Sequence, residues 1–171
     1  MLKRFVVLYC STLGVLFMSV CLSLFFRWYD TNFRLVIPDK IYSIYLNNVG
    51  VFGRTILLSI ASFGFLGIIL LISNIIVLST NLASIIAVYG FGRLSLVMIY
   101  GVLELAYIPI SICAIIELWS IAKLIYRNKR ITKVLLLNVA EKFRNIFILS
   151  VTGVFVLIFA SVLEFLIGKM L

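Results

Sequence analysis

From Ile41 to Tyr89 the chain carries a single formal charge, Arg54. As one helix this stretch would be about 70 Å long, more than twice the roughly 30 Å of a hydrocarbon core, so it predicts two membrane-crossing helices joined by a tight reversal. The glycines of Phe63-Gly64-Phe65-Leu66-Gly67 mark the reversal, giving spans at 44–63 and 66–89. Further apolar runs of spanning length cover 5–26, 94–121 and 146–167, the fourth kinked near Pro109, which removes a helical hydrogen bond. The expected fold is all-α: a polytopic transmembrane helical bundle of about five spans occupying residues 1–171 as one integral membrane domain. Composition agrees, with 64% hydrophobic and 12% charged residues, where a soluble domain holds roughly 45 to 50% apolar residues.

Charge placement predicts the topology. The basic start Met1-Leu2-Lys3-Arg4 precedes an apolar run too long for a signal peptide, and that run ends in Phe25-Phe26-Arg27-Trp28 rather than in small residues. This reads as a retained first span with a cytosolic N-terminus. The mixed polar stretch Arg27 to Lys40, with interfacial Trp28 and Tyr29 and the helix-breaking Pro38, is then an outside loop. Lys123, Arg127, Lys129, Arg130 and Lys133 form the densest basic segment and belong in the cytosol, against anionic lipid. Residues 122–145 are read as this basic loop plus a short cytosolic amphipathic helix, with Leu136, Ala140, Phe143 and Phe147 on one face and Asn138, Glu141, Lys142 and Asn145 on the other. Five crossings place the C-terminus outside a multi-pass protein of the cell membrane. The net charge of +9 flanks apolar runs, so it implies a lipid surface rather than nucleic acid.

Residue usage excludes several chemistries. The chain has no histidine, which removes His-based triads and His-ligated zinc or haem. Cys10 and Cys21 sit about 16 Å apart along one helix, beyond disulfide reach. No cofactor and no enzymatic activity are expected. Charges inside a span are another matter: each costs about 2.5 to 3.5 kcal/mol at a bilayer centre and demands a partner or a wet cavity. Arg54 and Glu104 fall at matched depths of about 14 to 17 Å, which predicts a buried ion pair. Glu164 is expected within reach of Arg93, and Glu117 facing Lys123. Asn47 and Asn48 read as a helix start, and Asn74, like Asn81, as a hydrogen-bonding residue between helices.

The ordered set Ile44-Tyr45-Leu46-Asn47-Asn48-Val49, Asn74, Gly101-x-x-Glu104-Leu105 and Leu163-Glu164 resembles the stage II sporulation protein M family over most of the chain. The family pattern His-Gly-x-x-Glu-Leu-Pro is met here by Tyr100 and Ala106 in place of the histidine and proline. The resemblance implies a small polytopic membrane protein akin to a scaffold that recruits a cell-wall hydrolase and its partner. The expected function is thus a non-enzymatic membrane scaffold or assembly subunit, partnered by other membrane proteins or by copies of itself. The alternative is a channel or transporter in which Glu104, Arg54 and Asn74 line a path.

Overall fold

The structure, a computed structural model, describes residues 2–34, 41–128 and 132–169. Its elements are α1 (Leu2–Phe25), α2 (Ile41–Ala61), α3 (Phe65–Glu104), α4 (Tyr107–Arg127) and α5 (Lys133–Gly168), with no strand among the described residues. Four helical stretches are long and apolar enough to cross a membrane: Lys3–Phe25, Ile41–Ala61, Phe65–Arg127 and Lys133–Gly168. Large apolar side chains such as Phe17, Phe25, Phe155 and Phe159 point outward, as suits a molecule whose solvent is hydrocarbon.

Local chemistry sets the breaks between helices. α2 stops at Ala61, and the turn into α3 uses positive φ at Phe63 and Gly64. Trp119 of α4 donates from Nε1 to the Phe63 carbonyl at 2.6 Å and pins that turn. α3 is broken at Gly90, where φ is 77° and ψ is 179°, a conformation open essentially to glycine alone. The break between α3 and α4 falls one turn before Pro109. Pro109 has no N–H to offer the Leu105 carbonyl and its ring crowds that oxygen, so Leu105 accepts instead from Ile108 N at 3.1 Å.

The Gly90 break reverses the chain. Gly64 lies against Ile115 and Trp119, Asn74 against Tyr107, and residues 78–85 share a cavity with residues 97–104. The segment after Gly90 therefore retraces the helix before it. α1 runs alongside the first part of α3, tied by Ser19 Oγ to Ser79 Oγ at 2.8 Å, and in the segment after α1 Asp30 N donates to Ser84 Oγ at 3.0 Å. α5 packs on α2, α3 and α4, with Gly153 admitting the Phe52 ring of α2. Fully buried Ile108, Ile110, Leu105 and Leu157 form the centre of the core.

The amphipathic stretch differs from the expected surface helix. Thr132 caps α5, accepting from Leu135 N at 3.2 Å, and residues 133–145 continue directly into the last apolar run. The reason lies in which face packs: Leu135, Val139 and Ile146 turn inward, while Leu136, Phe143 and Phe147 are exposed. Lys129 and Arg130 of the basic segment, and Pro38 of the outside loop, lie outside the described residues.

Candidate functional site

Two adjoining cavities open around Glu104. The first, of about 210 Å³, lies between α2 and α3 and is lined by Asn47, Asn48, Asn74, Asn81, Glu104 and Tyr107. The second, of about 260 Å³, shares Leu78, Asn81, Glu104 and Leu105 with the first and adds Tyr100 and Glu164. Neither lining contains a basic side chain. Two carboxylates, four amides and two phenols thus gather inside an apolar bundle.

Each of these groups owes its place to helix register. Asn74 and Asn81 are two turns apart on one face of α3, and the reversal at Gly90 brings Glu104, the last residue of α3, back against them. The Pro109-induced break then tips Tyr107 into the first cavity, where the Asn74 amide meets its hydroxyl. Phe52 packs edge-on against the Tyr107 ring at 6.4 Å. From α2, Asn48 is only 9% exposed, and its Nδ2 has no hydrogen-bond partner. Leaving such a group buried and unmet costs about 1 to 3 kcal/mol, and Asn48 Nδ2 is thus a donor at the cavity wall. Glu164 enters from α5, close enough to Glu104 for their charges to interact.

Five of the seven residues singled out from sequence meet here: Asn47, Asn48, Asn74, Glu104 and Glu164. Asn47 and Asn48 do not start a helix, since α2 already begins at Ile41. They sit on its second turn and face or border the cavity. Arg54 lies outside the site, and the expected pairing with Glu104 in the same chain does not form. Arg54 is exposed on the outer face of α2, and its Nε donates to the Gly50 carbonyl at 3.2 Å. Glu164 does not meet Arg93, whose guanidinium lies 5.1 Å from the centre of the Tyr89 ring. Glu117 faces Lys142 rather than Lys123, with Nζ to Oε2 at 2.8 Å in an ionic contact that lacks hydrogen-bond angles. That is the one ion pair among the described residues.

Tyr100 and Tyr107 were not read from sequence as site residues. The available signals were the place of Tyr100 directly before Gly101-x-x-Glu104 and that of Tyr107 two residues before Pro109, at the helix break. Among the described residues no three metal-ligating side chains of His, Cys, Asp or Glu type cluster together. Chemically, the arrangement is an acidic, amide-rich chamber suited to a positively charged group.

Compared with known proteins, the chain matches no family model, no curated protein and no solved structure.

Proposed function

We propose that this protein is a non-enzymatic, multi-pass membrane subunit that completes its own intramembrane polar groups by assembling with another membrane-spanning chain. The observation that carries this reading is Arg54. It is exposed near the middle of α2 and, among the described residues, bonds only to a carbonyl of its own helix. A cation facing lipid at that depth is worth about 2.5 to 3.5 kcal/mol of penalty, which a carboxylate on a companion helix removes. The ordered motifs that resemble the stage II sporulation protein M family point toward the same scaffold role.

In this reading the chain crosses the membrane five times, as α1, α2, residues 65–89, residues 91–127 and α5. Arg4 lines a small cavity with Glu117 and Leu149, so the start of α1 lies in the half of the bundle that holds the end of α4 and the start of α5. That half carries Lys3, Arg4, Lys123, Arg127 and Lys133 and is the side facing the cytosol and its anionic lipid. α5 is about 54 Å long against a core of about 30 Å, so its first turns stand out of the membrane on that side. The C-terminus is outside, and a reporter fused after Leu171 gives an external signal.

The test is extraction from native membranes in a mild detergent, with the intact mass measured and every companion identified. A second chain in fixed proportion is the expected result. A lone monomer would end the reading. The paired cavities favour one rival, a cation path through Glu104; in that case Glu104→Gln abolishes ion flux in liposomes while leaving assembly intact.

A further inference from the structure

Resting on the assembly reading, we propose that the companion is a second copy of this chain, and that Arg54 of each copy enters the Glu104 cavity of the other. The structure supplies both halves of the contact on one surface. The first cavity is bordered by Asn47, Asn48 and Val51 of α2, and Asn47 lies two turns from Arg54 on the same exposed face. The cavity holds a carboxylate with no ion-pair partner among the described residues. The face outside it holds a guanidinium in the same position.

Contacts exclude a cis pairing, since Arg54 is exposed and its Nε is held by the Gly50 carbonyl, and height permits a trans one. The Arg54 side chain folds back along α2, with Nη2 3.6 Å from where a side chain on Gly50 would begin. This brings the guanidinium to the level of residues 47–51, which is the level of the cavity wall. Two chains inserted with the same topology are related by a two-fold axis along the membrane normal, so equal heights stay equal. Each Arg54 then stands opposite its partner's cavity, and both contacts form at once.

The surface between them suits close approach. Gly50 and Gly53 lie along this side of α2, and the space beyond Gly53 is open. Small residues let membrane helices come near enough for polar side chains to meet. A lipid headgroup does not fill the role, because the guanidinium is turned away from the nearer helix end, toward mid-span. A planar guanidinium on a carboxylate in low dielectric is the strongest pairing the two residue types make.

The experiment uses the full chain in lipid nanodiscs, with Cys10, Cys21 and Cys113 replaced by serine and Leu57→Cys as reporter. Leu57 is exposed one turn beyond Arg54, so oxidation should link two copies. A Phe155→Cys control on the outer side of α5 should not crosslink. Arg54→Gln and Glu104→Gln, both close in shape to the native residues, should each lower the crosslink at least tenfold. Chains carrying Arg54→Glu and chains carrying Glu104→Arg should each be monomeric alone, yet pair when mixed, because each then meets an opposite charge at both contacts. Crosslinking that survives Arg54→Gln, or mixed variants that stay monomeric while the wild type dimerises, would overturn the proposal. A fixed-ratio complex with a different protein and no self-association overturns the pairing of copies but leaves the assembly reading standing. An isolated monomer in native membranes ends both.

Discussion

Two glutamates on the same long stretch of chain meet opposite fates. Glu117 of α4 faces Lys142 of α5 at 2.8 Å, and its charge is answered within the molecule. Glu104, at the end of α3, opens onto two cavities with no cation in their linings. The first is a fold contact, holding the early turns of α5 along α4. The second has no cation beside it among the described residues, and the Gly90 reversal and the Pro109 break are what place it there.

The sharpest way to separate the two regions is to damage the core near each. Leu157→Ala, at a fully buried position on α5, and Leu105→Ala, in the wall shared by both cavities, should each cost about 2 to 5 kcal/mol. Unfolding in mixed micelles measures the loss. Below the melting transition, only Leu105→Ala should also weaken self-association, since it merges the two cavities. Next in size, Gly90→Ala forces a side chain into a positive-φ conformation and should cost about 1 to 3 kcal/mol. It loosens the reversal that brings Glu104 to Asn74, so assembly should fall with stability.

Glu117→Ala and Lys142→Ala should each cost about 1 kcal/mol or less, given partial exposure of the pair. The double variant should cost little more than either, the loss shrinking with added salt, and assembly should be unchanged. The smallest stability effect belongs to Glu104→Gln, within about 0.5 kcal/mol, because no partner in its own chain is lost. Its assembly defect should nonetheless be the largest of the set. A Glu104→Gln chain that melts far below wild type, or a Glu117→Ala chain that fails to assemble, would break the contrast between the two sites.

The all-helical class and helices long and apolar enough to cross a membrane were legible at once, from the length and near absence of charge of Ile41 to Tyr89. The convergence of Asn47, Asn48, Asn74, Glu104 and Glu164 was legible only as a set of expensive groups without an arrangement. What escaped was direction. Depth along a helix follows from counting at 1.5 Å per residue, and so Arg54 and Glu104 matched in height. Whether a side chain faces into its own bundle depends on helix rotation, and α2 carries polar groups on its exposed side (Asn47, Arg54) and on its buried side (Asn48, Thr55, Ser59), so polarity leaves its rotation unmarked. The same blindness placed Glu117 toward Lys123 on its own helix, when the packing of Leu135, Val139 and Ile146 turns Lys142 toward it instead. Tyr107 entered the site through a proline two residues on, a consequence of backbone geometry rather than of residue chemistry.

The most direct test of the central claim is the intact mass of the wild-type particle, extracted from its own membrane in lipid nanodiscs. Assembly through a second copy predicts twice the 19.4 kDa of one chain, falling to a single chain with Arg54→Gln. A single chain in the wild type, with no companion, would contradict it.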